Sequence, residues 1–309
     1  MKIQKITLSI AVLVLSMAMA VTSCKKKDDA PEDKDTSGAS DNSLAEQTSE
    51  DAMSIAGQAS DIAAGDSLSS YRLENGEDVC GSSCATITRD SINKKITVVF
   101  NGQKCLDGHT RSGSLIFDYS GTASGAIHYR NPGFQCVVSS ISYVVDGNAV
   151  TISKTITNTT ATGFDPSTTN LTWSCSSNVS IVKANGGGTI TWNANKVKTL
   201  LNTSDSTVYR GQALHIIWSK ARIGITGNAT GTTAAGDSYT ANITSQLVRD
   251  MNCSPNAVHP GHHPFINGNM EFTPGSKATR YMDFGAPNNG ACDNLAVVTI
   301  NGKSYTITL

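Results

Sequence analysis

From Tyr71 onward, apolar residues in this chain recur at every second position. Ile96, Val98 and Phe100 share one parity, and Val150, Ile152 and Ile156 alternate with Thr and Ser. An extended strand points successive side chains to opposite faces, so this period favours half-buried strands with a Thr-rich wet face. Such runs follow one another at short spacing, which constrains the chain to a fold built of short strands.

Two dipeptides between these runs predict tight hairpins. They are Asp146-Gly147 and Asn301-Gly302, and a type I′ turn needs two positive φ values that Asn, Asp and Gly tolerate. No second helical pattern interrupts the runs. We therefore predict an all-β fold of antiparallel β-sandwich architecture.

The segment before the strands has a different period. Ser43 and Glu46 have the form of a capping box, and apolar residues then follow at helical spacing until Gly65. Residues 24–42 contain almost nothing apolar, which is typical of a disordered tether. We predict a tether over 24–42 and a short helical segment within 43–70.

A weak internal echo organises the β region. The order aromatic residue, Gly, Cys, Asp, strand occurs over 100–119 and again over 284–300. This pattern predicts two related sandwich halves, 71–165 and 166–309. A single large β domain over 71–309 is the alternative.

The N-terminal residues have the pattern of an export signal. A basic start is followed by an apolar run from Ile6 to Ala20 and by Cys24. The run is shorter than the roughly 20 residues of a membrane-spanning helix and fits a signal peptide. It resembles the signal of bacterial lipoproteins, which predicts a signal peptide over 1–23 and lipidation of Cys24. Ordinary cleavage near Ala20 is the alternative.

Three further segments carry a family resemblance. The Lys and Asp run after Cys24 resembles surface-exported lipoproteins of the Bacteroidota. The loop Cys105–Gly113 and the C-terminal pair of Cys292-Asp293-Asn294 and Asn301-Gly302 are similar to an uncharacterised all-β lipoprotein family of that phylum. The resemblance implies a protein anchored in the outer membrane, at the cell surface rather than on the periplasmic face. The family has no known activity that could be transferred to this chain.

Cysteine content fits an oxidising compartment, where thiols pair as disulfides. The predicted pairs are Cys84–Cys105, Cys136–Cys175 and Cys253–Cys292, with Cys80 left over. Spacing does not determine connectivity, so other pairings stay open.

One histidine cluster is the candidate metal site. His259, His262 and His263, with Asp283 or Asp293 as a fourth ligand, have the chemistry to bind zinc or copper. The segment is a Pro/Gly loop rather than a rigid element, which favours solvated surface histidines. We therefore predict no metal and no cofactor.

The chain also lacks a complete catalytic pattern. Gly65 to Ser69 resembles the nucleophile block of the esterases named for Gly-Asp-Ser-Leu, but no Asp-x-x-His partner occurs in the sequence. We read this segment as a turn and predict that the protein is not an enzyme.

Two other sets of side chains each have two possible roles. His109 and Arg111 either contact an anionic ligand or pair locally within their loop. Trp173, Trp192 and Trp218 either form a sugar-stacking platform or belong to the core, and their shared parity with apolar neighbours favours the core.

Charge composition limits the classes of partner that we expect. The 309 residues carry a formal net charge of −1 without a basic patch, so nucleic acid is not an expected partner. We expect a non-enzymatic binding or structural module, anchored to a membrane through Cys24, with a glycan or protein ligand. The alternatives are a metal-dependent hydrolase centred on the three histidines and an accessory subunit of an outer-membrane complex. The oligomeric state is left open.

Overall fold

A computed structural model of the protein describes residues 32–63, 79–80, 83–124, 126, 128–210, 213–253, 265–293 and 295–308. The predicted signal peptide over 1–23, the predicted lipidation site Cys24 and residues 24–31 of the predicted tether lie outside these ranges. The chain from Asp35 to Leu309 forms one compact unit.

The described residues form one long helix, one single-turn helix and a series of strands. Helix α1 spans Ser37–Ala63 and helix α2 spans Thr203–Ser206. The strands are β1 Ala85–Asp90, β2 Lys95–Lys104, β3 Thr110–Asp118, β4 Gln135–Val145, β5 Asn148–Asn158, β6 Thr172–Val182, β7 Thr189–Leu200, β8 Thr207–Arg210, β9 Ala213–Ile216, β10 Arg222–Thr232, β11 Ser238–Asp250, β12 Phe265–Pro274, β13 Arg280–Asp283, β14 Leu295–Ile300 and β15 Lys303–Thr308.

Thirteen of these strands form a single antiparallel sheet. Its order is β1-β2-β3-β4-β5-β6-β7-β10-β11-β12-β13-β14-β15, while β8 and β9 form a separate hairpin. The structure confirms the predicted antiparallel β fold preceded by an N-terminal helix. Both predicted hairpin turns have positive φ at their two positions: 49° and 82° at Asp146-Gly147, 50° and 79° at Asn301-Gly302.

The sheet continues without a break across residues 165 and 166. Strands β5 and β6, which flank these residues, pair from Ala149 opposite Val182 to Asn158 opposite Trp173. Strands on both sides of this boundary thus belong to one sheet in the same compact unit.

The sheet curves around α1. The helix contacts β1 and β2 near one edge, and Asn42 Nδ2 lies 3.3 Å from Met270 Sδ on β12. Residues on every face of α1 from Gly38 to Asp61 are buried or half-buried. A helix lying on a flat sheet would leave one face exposed to solvent, so the sheet wraps around α1.

Helix α1 begins at Ser37, within the stretch predicted as a tether. The Asp35 carboxylate accepts hydrogen bonds from the Ser37 backbone N–H at 3.0 Å and from its hydroxyl at 2.6 Å. Further along, Asp41 pairs with Lys183, and Asn42 Oδ1 accepts the Trp192 indole N–H at 3.1 Å. Polar contacts to the sheet thus order residues that have no apolar periodicity, which is why the prediction of a tether up to residue 42 fails.

Acidic residues on α1 meet basic residues on the sheet and its connections. The helix sequence contains Asp and Glu but no Lys or Arg. The pairs are Asp41–Lys183 at 2.9 Å, Glu46–Lys196 at 2.9 Å, Glu50–Lys154 at 3.5 Å, Glu50–Lys198, Glu50–Arg249 at 3.7 Å, Asp51–Arg111 at 2.7 Å and Asp61–Arg130 at 2.7 Å. Because a buried charge is tolerated only when it is paired, these contacts fix how the helix sits in the sheet.

Two of the three predicted disulfides are present. Cys84 pairs with Cys105, and Cys253 pairs with Cys292. Cys80, predicted to be left over, is a buried thiol outside both bridges.

The predicted bridge between Cys136 and Cys175 is wrong, because both are buried free thiols. Cys136 lies opposite Ile156 on β5, and Ile156 lies opposite Cys175 on β6. The two cysteines are therefore two strand spacings apart, about 9.6 Å, beyond the Cα separation of up to about 6.8 Å that a disulfide spans.

Candidate functional site

A cavity of about 130 Å³ lies beside the C-terminal half of α1. One wall is the helix between Glu50 and Ser60, and the opposite wall is the inner face of the sheet. The sheet contributes Phe117 from β3 and Trp173 from β6. The cavity exists because the curved sheet stands away from the helix here, where α1 presents small residues such as Gly57.

Aromatic rings dominate the wall opposite the helix. Phe117 and Trp173 are each 2% exposed and form its inner part. The rings of Tyr129 and Trp218 stack with centroids 6.4 Å apart and an interplanar angle of 23°. Exposed Arg89 also lines the cavity, which places its opening on the side of β1.

The polar end of the cavity contains Lys198 and Glu50. Both side chains are buried, at 4% and 5% exposure, and they are hydrogen-bonded to each other. Lys198 Nζ also lies 3.0 Å from Met53 Sδ. Behind this pair, Lys154 donates to the Ser49 carbonyl at 2.8 Å and approaches Glu50 Oε1 at 3.5 Å.

Charge neighbours keep Glu50 ionised. Burial alone raises the pKa of a carboxyl, but the positive charges of Lys198, Lys154 and Arg249 outweigh burial and lower the pKa of Glu50 to about 2. Burial lowers the pKa of Lys198, and the neighbouring Lys154 charge adds to that effect, although Glu50 opposes it. Glu50 is thus an anion shared by several cations.

A second polar group borders the cavity at the end of α1. Arg130 donates to Asp61 at 2.7 Å, and the Tyr129 hydroxyl donates to the other carboxylate oxygen at 3.4 Å. Burial and the Asp61 charge raise the pKa of Tyr129, so its hydroxyl stays neutral and acts as a hydrogen-bond donor.

Cys136 also lines the cavity, but its thiol is unreactive. Burial, with a smaller contribution from the Asp118 charge, raises the pKa of Cys136 to about 12. Since the thiolate is the nucleophilic form, this environment suits a packing residue and not covalent catalysis.

The predicted metal ligands are not brought together among the described residues. His259, His262 and His263 lie outside the described ranges, as does the Gly65–Ser69 segment. Asp283 accepts the Gly285 backbone N–H at 2.9 Å, and Asp293 accepts the Asn288 amide at 2.6 Å.

In the part of the chain that the structure describes, no cluster of three or more His, Cys, Asp and Glu has the arrangement of a metal site. Over the same residues, no helix has both the length and the apolar character needed to cross a membrane.

Arg111 is paired with protein groups both inside and outside its loop. Its side chain is fully buried, with Nη2 2.7 Å from Asp51 and 2.6 Å from Asp107, and its Nε donates to the Tyr143 hydroxyl at 3.2 Å. His109 Nδ1 lies 2.5 Å from Asp146 Oδ2, which joins this loop to the β4–β5 turn. Asp107 lies in the same loop as Arg111, as the alternative of local pairing expects, whereas Asp51, Tyr143 and Asp146 lie on α1, on β4 and in the β4–β5 turn.

The tryptophans divide between core and cavity. Trp173 and Trp192 are buried at 2% and 1% exposure, as the core prediction requires. Trp218 lies in a short 3₁₀ turn, is half-buried and lines the cavity together with Trp173. Trp192 instead donates to Asn42 near the start of α1, so the three rings do not form one platform.

The sequence interpretation overlooked the inward lysines. Lys196 and Lys198 have the same parity on β7 as Ile190 and Trp192, and all four are buried. Lys154 likewise has the parity of Ile152 on β5 and is 1% exposed. A basic residue in phase with a strand's apolar face, together with an acidic helix, is the signal that would have predicted this network.

Comparison of the chain with protein-family models, with curated proteins and with solved structures gives no match.

Proposed function

We propose that the protein is a lipid-anchored protein of the outer cell envelope, exposed at the surface, whose β body is a non-enzymatic binding module for a small molecule. The anchor rests on the signal-like N-terminal sequence ending at Cys24. The binding role rests on one observation, the aromatic cavity beside α1. A concave site with apolar walls and a few convergent polar groups is the usual form of a small-molecule site.

Two of the ionisable groups that line the cavity are unsuited to catalysis. Its nucleophile candidate, Cys136, is held as a thiol. Its carboxylate, Glu50, is shared by Lys154, Lys198 and Arg249 and stays ionised. General acid or base catalysis needs a group whose pKa lies near the working pH. The pKa of Glu50 lies far below neutral pH and that of Cys136 far above it.

Gly57 provides a direct test of the binding role. It lines the cavity, and a Cβ added there would meet no atom within 4 Å. Gly57→Phe should therefore fill the cavity without displacing its walls, while Gly57→Ala leaves most of the space open. The probes are 2-phenylethanol, phenylacetate and 2-phenylethylammonium, which share one ring and differ in charge.

We expect titration calorimetry to show 1:1 binding of at least one probe to the native protein and to Gly57→Ala, and no binding to Gly57→Phe. If no probe binds the native protein, or if Gly57→Phe binds as well as the native protein, the proposed binding role is wrong.

Location is tested separately by treating intact cells with protease. Loss of the β body from intact cells supports surface exposure. Protection until the outer membrane is broken would move the protein to the periplasmic face.

A further inference from the structure

The described residues around the polar end of the cavity carry more positive than negative charge. Two buried ammonium groups, Lys154 and Lys198, share the single carboxylate of Glu50. Lys154 is turned away toward the Ser49 carbonyl and hydroxyl, at 2.8 and 3.0 Å, whereas Lys198 lines the cavity.

An excess of buried positive charge favours an anion in the adjoining space. A charge taken out of water is costly unless an opposite charge compensates it. Electrostatic attraction is also stronger in such a partly dry site than in water. Burial and Lys154 both disfavour the charged form of Lys198 and lower its pKa. A second anion in the cavity would oppose both effects and stabilise the Lys198 ammonium group.

The remainder of the cavity sets the size and character of the occupant. Its volume of about 130 Å³ is close to the roughly 150 Å³ of an apolar cavity that holds one benzene ring. Phe117, Trp173 and Trp218 offer ring faces and edges to an apolar body. An occupant therefore combines a short apolar part with one negative group.

We propose that the cavity binds a small amphipathic anion, a carboxylate carried on a single aromatic ring or a short acyl chain. The carboxylate lies beside Lys198, and the apolar part packs among Phe117, Trp173 and Trp218. This inference rests on the proposed function, in that the cavity must first be a ligand site.

The test compares affinities within the same probe series at pH 7. Phenylacetate should bind at least about tenfold more tightly than 2-phenylethanol, since a charge-assisted hydrogen bond contributes on that scale. The cation 2-phenylethylammonium should bind most weakly. Hexanoate should bind more tightly than 1-hexanol for the same reason.

A variant locates the charge that causes the preference. In Lys198→Met the cavity keeps its apolar volume, and Glu50 keeps Lys154 and Arg249 as partners, so we expect the fold to persist. Phenylacetate affinity should fall by at least about tenfold while 2-phenylethanol affinity stays within about twofold. Lys104→Met, at the exposed end of β2, is the matched control and should leave both affinities unchanged.

The outcomes separate the two proposals. A preference for phenylacetate that Lys198→Met removes supports the anion site. Equal or tighter binding of 2-phenylethanol or 2-phenylethylammonium by the native protein overturns the anion site and leaves the binding role intact. An anion preference that survives in Lys198→Met overturns the assignment to Lys198. Absence of binding by every probe overturns the proposed function and the anion site together.

Discussion

Glu50 is the residue at which the charges of helix and sheet converge. One carboxylate, 5% exposed, is surrounded by Lys154, Lys198 and Arg249. Removing it would leave at least two buried ammonium groups without their anion. Loss of one member of a buried ion pair costs about 3–5 kcal/mol, so Glu50 should be among the most sensitive positions in α1.

We expect Glu50→Gln to lower the free energy of unfolding by about 3–5 kcal/mol at pH 7, and the loss to depend on pH. The folded pKa of about 2 lies below the ordinary value of 4.5, so the unfolded chain binds the proton more readily. The stabilisation is therefore complete above about pH 4.5 and declines as the pH falls toward 2.

Urea unfolding of native protein and Glu50→Gln at pH 7 and pH 3 measures this dependence. The difference in the free energy of unfolding between the native protein and Glu50→Gln should be smaller at pH 3 than at pH 7. Glu271→Gln, on the opposite face of β12 from Met270 and Phe272, should cost less than about 0.5 kcal/mol at either pH. An equal gap at both pH values would show that the Glu50 charge contributes nothing.

The three cysteines outside the disulfides give a second residue-scale prediction. Protein spanning residues 35–309, denatured without reductant, should take up three maleimide groups, at Cys80, Cys136 and Cys175. Before denaturation Cys136 should react very slowly, because it is buried and its pKa is raised to about 12. Intact mass measures the number of adducts. A single adduct would mean that Cys136 and Cys175 are bridged after all.

At the scale of elements, α1 and β7 are joined by the Glu46–Lys196 pair. The two groups are 2.9 Å apart and 1–2% exposed, and Glu46 Oε1 has no hydrogen-bond partner among the described residues. The pair is thus fully desolvated but incompletely satisfied. It specifies the position of the helix on the strand and adds little net stability.

A double-mutant cycle tests that interpretation. Glu46→Met and Lys196→Met should each cost about 3–5 kcal/mol, because each leaves a buried charge unpaired, whereas the double variant should be near neutral or stabilising. The exposed pair Lys95–Asp118, 3.4 Å apart, is the control, with a coupling of at most about 1 kcal/mol. Chemical unfolding of the native protein and the six variants gives both coupling energies. Additive single effects at Glu46 and Lys196 would contradict the model of a desolvated pair.

The elements that could be predicted from the sequence are those whose conformation is determined by residues within the element itself. The strand at 150–157 has a strict period of two, and the turns Asp146-Gly147 and Asn301-Gly302 have residues that tolerate positive φ. In the first turns of α1 a local contact occurs at the start, where Asp35 accepts from Ser37, whereas Asp41 and Asn42 are ordered by Lys183 and Trp192, far away in sequence. Local patterns cannot predict contacts of that kind.

The cavity escaped prediction for a related reason. Trp173, Trp218 and Lys198 come from separate strands and turns, and only the closing of the sheet around α1 brings them together. Parity indicated that Trp173 and Trp192 face inward, as the structure shows. Parity does not indicate where the sheet stands away from the helix, because that distance depends on small helix residues such as Gly57.

At the scale of the whole molecule, α1 is the central part of the core. One hydrophobic cluster includes Ala45, Ile55 and Ala59 of the helix together with residues from across the sheet. Without the helix, the inner face of the sheet would expose Lys154, Lys196 and Lys198 beside a wide apolar surface. The helix sequence contains six Ser, three Asp and two Gly beside its six Ala, and these residues lower its tendency to persist alone in water.

We therefore expect the chain from residue 64 to 309 to lack a cooperative unfolding transition, and a synthetic peptide of residues 35–63 to restore it. The matched control peptide carries Glu46→Lys and Glu50→Lys, which would place like charges against Lys196 and Lys198 and should fail to restore folding. Far-UV circular dichroism against urea concentration, with and without each peptide, provides the measurement. If residues 64–309 unfold cooperatively at the same urea midpoint as residues 35–309, or if both peptides restore folding equally, then the helix occupies the sheet without holding it together.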